Sequence, residues 1–134
     1  MIVVDASTLV NALTDDGPVG QKARDELAQD VNWAAPEHLP VEVFSAIRGQ
    51  CLGNSIDPVR ARDALDTFAE FSIELVSTAP LFRRMWQLRN NISGYDAAYV
   101  AVAESHACTL LTADVRLSRT AKQWCEIRPA VPDA

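Results

Sequence analysis

The sequence predicts an α/β protein built in three layers (α/β/α), with helices on both faces of a central, mostly parallel sheet of four or five strands. Short apolar runs alternate with amphipathic stretches of helical period, the order that builds strand–helix–strand units. The first run, Ile2-Val3-Val4, is wholly β-branched and does not alternate, which suits a strand buried on both faces. It ends in a carboxylate, Asp5, with the small hydroxyl residues Ser7 and Thr8 directly behind it. An acid there stands at the carboxyl edge of the sheet, where open α/β sheets bind their ligands.

Each later element follows from local chemistry. Residues 7–13 read as a short helix stopped by Asp15-Asp16-Gly17-Pro18, and residues 19–29 as a second one with Ala23, Leu27 and Ala28 on its apolar side. Residues 31–35 form a weak strand. Residues 39–52 form an amphipathic helix through Leu39, Val43, Ala46 and Ile47, with Pro40 tolerated in its first turn and Gly53-Asn54 closing it. Asp57-Pro58 is a cap followed by proline at the first helical position, so a helix runs from there to about Glu70. Residues 73–76 make the next strand, and Ser77 or Thr78 opens a helix over residues 80–89. After the loop Asn90 to Gly94, residues 95–106 are helical and apolar on nearly every side, as a central, covered helix must be. Thr109 to Thr112 is a buried strand, Ala113-Asp114 opens a last helix to about Trp124, and residues 126–128 add an edge strand. One domain over residues 1–128 is expected, with a short tail over 129–134.

Composition narrows the function classes. No apolar run approaches the roughly 20 residues that span a bilayer, and Asp5 interrupts any leader-like start, so a cytoplasmic protein without membrane attachment is expected. Cys51, Cys108 and Cys125 form no Cys-x-x-Cys pair and read as buried, reduced thiols; His38 and His106 stand at no zinc-like spacing from them. The net charge of −6 argues against gripping nucleic acid by bulk electrostatics. Its distribution is uneven. Residues 1–79 carry 5 Lys/Arg and 13 Asp/Glu, whereas residues 80–134 carry 7 and 5. Arg83, Arg84 and Arg89 form one basic cluster and Arg116, Arg119 and Lys122 another, which leaves room for a phosphate-bearing substrate.

Four acids fall where a carboxyl-edge cleft would receive them. Asp5 ends the first strand, Asp114 follows a later strand by the same step, Asp96 opens the most apolar helix, and Glu42 lies in the first turn of the helix after the second strand. Each also has a purely structural reading. Asp5 and Asp114 can cap helices, and Asp96 and Glu42 can complement a helix dipole. Converging carboxylates repel one another, and a divalent cation relieves that repulsion. With oxygen ligands only, Mg²⁺ or Mn²⁺ is the expected ion, and the chemistry is phosphodiester hydrolysis by a metal-activated water. Ser7, Thr8 and Thr112 supply hydroxyls that can orient those acids.

Asp5-Ala6-Ser7-Thr8, Pro40-Val41-Glu42-Val43, Tyr95-Asp96-Ala97-Ala98-Tyr99-Val100-Ala101 with Ala103-Glu104, and Leu111-Thr112-Ala113-Asp114 with Leu117 resemble PIN-domain ribonucleases of the VapC toxin type, in order and spacing along the chain. The resemblance implies an endoribonuclease needing Mg²⁺ or Mn²⁺, with Asp5, Glu42, Asp96 and Asp114 as its metal-binding catalytic acids. It also implies a homodimer and a small cognate antitoxin that silences the cleft. Arg83, Arg84, Arg89 and Arg116 are the candidate RNA contacts. Glu37 competes with Glu42 for the second position from a looser loop. Leu9, Val10 and Leu13 are either core or an apolar groove for a partner. Two other folds, one an enzyme and one a non-enzymatic module, are weighed against this reading. A Mg²⁺-dependent phosphatase of the haloacid dehalogenase kind would want a second Asp where Ser7 stands, and a receiver domain would want paired acids and a strand-ending Lys. A silent RNA- or protein-binding module of the same fold is separable by assay.

Overall fold

A computed structural model describes residues 1–133. The chain runs β1 (Ile2–Val4), α1 (Ala6–Thr14), α2 (Pro18–Leu27), β2 (Trp33–Pro36), α3 (Leu39–Leu52), α4 (Pro58–Ala69), β3 (Ile73–Val76), a 3-10 turn (Ala79–Leu81), α5 (Phe82–Gln87), α6 (Gly94–Ser105), β4 (Thr109–Thr112), α7 (Val115–Ala121) and β5 (Ile127–Pro129). The five strands are ordered β3-β2-β1-β4-β5, and every pairing is parallel.

From β1 the strand order steps outward to β2 and β3, then crosses back over β1 to β4 and β5. Right-handed crossovers therefore lay α1 to α4 on one face and α5 to α7 on the other. The direction reverses between β1 and β4, and it is at this switch that the two strand ends splay apart and leave a crevice. Asp5 and Asp114 stand immediately beyond those two strands.

Burial explains the strand residues. Ile2, Val3, Val4, Ala34, Ala35, Leu110 and Leu111 are all buried, covered from both faces as a parallel sheet requires. Helix α6 lies across β1, β2 and β4, and its Ala97 to Val102 are buried without a break. Its many alanines allow close approach to the sheet. Apart from the acids at the crevice, the buried charge Glu26 is matched by Lys22 at 2.7 Å and by Arg128 at 2.8 Å, which ties β5 to α2.

Several details differ from the sequence reading. The second strand begins at Trp33, because Val31 is 96% exposed and has no neighbour to bury it. The helix expected over residues 80–89 is a 3-10 turn followed by the short α5, and Thr78 makes no side-chain cap. The last helix stops at Ala121 rather than Trp124. The edge strand takes in Pro129, and the Ala130 amide donates to the Thr112 carbonyl at 2.7 Å, so the sheet edge reaches into the stretch read as a tail. The cysteines are free but half-buried rather than fully enclosed, and burial beside Glu104 pushes the Cys125 thiol up to about 11.

Candidate active site

Asp5 is the most constrained acid. Only 5% exposed, it adopts an extended backbone (φ −92°, ψ 167°) and caps α1 by accepting from the Thr8 amide at 3.1 Å. The Ser7 and Thr8 hydroxyls donate to its Oδ1 at 2.8 and 3.0 Å, and the Thr112 hydroxyl donates to its Oδ2. Burial pushes its carboxyl above the ordinary 3.8, and these donors pull it back. Thr112 also accepts from the Asp114 amide at 3.0 Å, and Ser7 accepts from the Ala113 amide at 3.2 Å. The three hydroxyls named from the sequence thus stitch the ends of β1 and β4 together and fix two acids at once.

Asp114 caps α7 through one oxygen, Oδ1, which accepts from the Arg116 and Leu117 amides at 2.9 and 3.1 Å. Among the described residues its Oδ2 accepts from no protein donor, so it can turn toward the crevice. Asp96 sits in the first turn of α6, whose cap is Ser93, and shares with Asp114 a cleft of about 410 Å³ flanked by Arg89, Ser93, Arg116 and Thr120. Burial pushes the Asp96 carboxyl up, and the charges of Asp114 and then Glu42 push the same way. Asp96 thus lies within electrostatic reach of both Asp114 and Glu42.

Glu42 is anchored by a group that sequence reasoning did not single out. The buried Tyr99 hydroxyl donates to Glu42 Oε1 at 2.9 Å, bridging α6 and α3. Burial, then the charges of Glu42 and Asp5, hold this phenol far above its ordinary value, so it remains a donor at any working pH. His38, one helical turn before Glu42, brings Nε2 to 2.8 Å from the same oxygen, but the approach is out of line for a hydrogen bond. The i, i+4 spacing of His38 and Glu42 is the signal that could have found it.

The family model for the PIN domain matches residues 2–123 of the chain. The chain belongs to the PIN-domain family. Ribonuclease VapC9 of Mycobacterium tuberculosis is 38% identical over 127 residues, covering 95% of this chain and 96% of that protein. Ribonuclease VapC1 of the same organism is 37% identical over 127 residues, covering 94% and 95%. In fold the chain is similar to VapC20 of Mycobacterium tuberculosis, a sarcin–ricin loop cleaving toxin, with a TM-score of 0.72 at 19% identity over 96% of this chain and all (100%) of that one. It is also similar to FitAcB from Neisseria gonorrhoeae, with a TM-score of 0.71 at 15% identity over 97% and 98%.

Within this PIN domain the remaining candidates separate. Glu37 is exposed, and its Oε2 accepts from the Thr78 amide at 2.8 Å, so it ties two loops while Glu42 acts on Asp96. Arg89 and Arg116 line the cleft. Arg83 is exposed on α5, whereas Arg84 grips Glu104 of α6 through two hydrogen bonds of 2.8 Å. Leu9 and Val10 are core, with Leu13 packed against it, so they form no groove for a partner. The apolar groove lies elsewhere, between α3, α4 and β3, where Pro40, Phe44, Leu65, Phe68, Phe71 and Leu75 enclose about 470 Å³.

The donor chemistry fits a hard divalent cation. Among the described residues Asp114 Oδ2 and Glu42 Oε2 are carboxylate oxygens that accept from no protein donor, the Asp96 carboxyl beside them has only the Ser93 hydroxyl, and no soft ligand stands among them. As they lie, no three acidic, His or Cys side chains among the described residues enclose an ion. Drawing the carboxylates together is what a cation's charge would do.

Proposed function

We propose that this protein is a divalent-metal-dependent endoribonuclease and the toxin of a toxin–antitoxin pair, with Mg²⁺ or Mn²⁺ as its ion. The observation that carries the reading is the position of Asp96 at the strand switch, where it shares a cleft with Asp114 and feels the charges of both Asp114 and Glu42, beside the buried Asp5. Asp5, Glu42, Asp96 and Asp114 are the residues that would hold the ion. When bound, it supplies Lewis acidity and neutralises charge on a phosphate, which lets a protein of net charge −6 act on RNA.

The chain's own side chains do the rest. Ser7, Thr8 and Thr112 favour the ionised form of Asp5 against its burial, and Tyr99 aims Glu42. Arg89 and Arg116 receive phosphates along the cleft, and Arg83, exposed on α5, is a further phosphate contact; Arg84 is left out because Glu104 occupies it. A small antitoxin silences the enzyme, and the apolar groove beside α3 suits an amphipathic helix of that partner. The protein works in the cytoplasm as a homodimer; among its described residues no helix is long and apolar enough to cross a membrane.

The test is direct. Purified protein incubated with total RNA cuts it with Mn²⁺ and not with EDTA, and Asp96→Asn abolishes cutting while the protein stays folded. Equal cleavage by wild type and Asp96→Asn, or cleavage indifferent to EDTA, would overturn the reading.

A further inference from the structure

Beside the acids lies a second recess, of about 360 Å³, formed by His38, Val41, Glu42, Ser45 and Tyr95 and lined by neither Arg89 nor Arg116. It adjoins the acid set directly: Glu42 forms part of its wall, and Tyr95 precedes Asp96 in the chain. Tyr95 is a large aromatic left 66% exposed at the first turn of α6. Its ring is not loose. The His38 imidazole packs against it with centroids 5.4 Å apart and planes at 59°, and packs edge-on against Tyr99 at 5.3 Å. The stack Tyr95–His38–Tyr99 thus ends on the phenol that aims Glu42.

We propose that Tyr95 is a stacking platform for one unpaired nucleobase of the RNA strand, next to the phosphate that is cut, with His38 as the positioning residue that braces it. This rests on the ribonuclease reading above and adds what holds the strand on its non-phosphate side. An exposed aromatic face beside a phosphate-binding cleft is how single-stranded RNA is gripped, since every base has a π-face to offer. The recess also carries Ser45 and Glu42, polar groups able to meet a base edge, whereas the groove near Phe68 and Phe71 is apolar and suits a polypeptide. Of the exposed aromatics beside Arg89, Trp86 serves less well because the Arg89 guanidinium already covers its ring at 4.4 Å, and Phe82 lines an apolar recess with it and Met85.

The experiment uses an oligoribonucleotide carrying a cut site mapped from total RNA, with 2-aminopurine replacing the bases beside that site one at a time. In the Asp96→Asn protein with Mn²⁺, stacking quenches the fluorophore at one flanking position. The quench is kept when Tyr95→Phe is added, lost when Tyr95→Ala is added, and indifferent to Trp86→Ala. With Asp96 intact, Tyr95→Ala raises KM about tenfold, as loss of one base–aromatic stack requires, and changes kcat by less than about threefold. A quench that survives Tyr95→Ala, or disappears with Trp86→Ala instead, overturns the proposal. So does a Tyr95→Ala enzyme with wild-type KM that has lost only a polypeptide partner. Wild-type protein that cuts no RNA under any metal would instead sink the nuclease reading itself, so the two failures are distinct.

Discussion

Thr112→Val is the most informative single change, because one hydroxyl serves two acids. It donates to Asp5 Oδ2 and accepts from the Asp114 amide, in a side chain that is 1% exposed. Valine keeps the shape and deletes both bonds. A hydrogen bond to a charged group contributes about 1.5–3 kcal/mol and an ordinary one about 1, and the added methyl returns part of that. The net expectation is a loss of about 2 kcal/mol, or roughly 7 °C in Tm for a chain of this size. The loss depends on pH in a defined direction. Burial raises the Asp5 carboxyl above 3.8, and the Thr112 hydroxyl is the strongest of the groups lowering it again. Between 3.8 and the raised value the folded protein binds more protons than the unfolded chain, so this contribution to stability is lost as pH rises through that window. Without the hydroxyl the window extends upward, so the variant's deficit is greatest near neutrality and shrinks as pH falls toward 3.8. Thermal unfolding in EDTA across this range measures it, and Thr112→Ser, which keeps the hydroxyl, is the control. Cleavage of RNA with Mn²⁺ should fall about 10- to 100-fold in the Val variant, since both acids lose their alignment. A deficit that is flat with pH, or a Val variant as active as wild type, refutes the reasoning.

Tyr99→Phe removes the donor to Glu42 from a buried ring and leaves the packing intact. It should lower kcat about tenfold with a stability loss near 1 kcal/mol, read by single-turnover cleavage and denaturant unfolding. Leu9→Ala should destabilise by about 2–5 kcal/mol in urea melts while leaving partner binding per folded molecule unchanged, because Leu9 is fully buried core rather than surface. Gly20→Ala should cost more than an ordinary surface change, since a Cβ there would lie 1.8 Å from the Asp15 carbonyl oxygen at the α1–α2 junction. Its Tm in EDTA is the measurement, and an unchanged value would mean that the two helices can move apart freely.

Much of this architecture was legible because the chain is locally consistent. The β-branched run before Asp5, the cap-and-proline pair at Asp57-Pro58 and the unbroken apolar face around Asp96 each point to the element that forms. What escaped was set by neighbours distant in sequence. Val31 has the right propensity for a strand, yet the sheet starts at Trp33, whose ring is held edge-on by Phe71 at 5.4 Å. Nothing local reveals that Tyr99 will meet Glu42 from 57 positions away, or that Arg84 will be taken by Glu104. The acids themselves stood out by position, but helix capping by Asp5 and Asp114 is equally real. Only the location of both at the reversal of strand order separates a cap that is merely a cap from one that also faces the crevice.

The central strand has its own consequence for when the enzyme can exist. β1 is synthesised first, yet one of its two neighbours, β4, lies more than a hundred residues later, and the Asp5–Thr112 bond spans 107 positions. Such distant pairing is slow to form and cannot be anticipated by local contacts. A nascent chain therefore carries Asp5 with its local Ser7 and Thr8 donors but without its Thr112 brace until β4 emerges. Catalytic competence arrives only once β4 and β5 have been made, and a partner made in advance has that whole interval in which to be waiting.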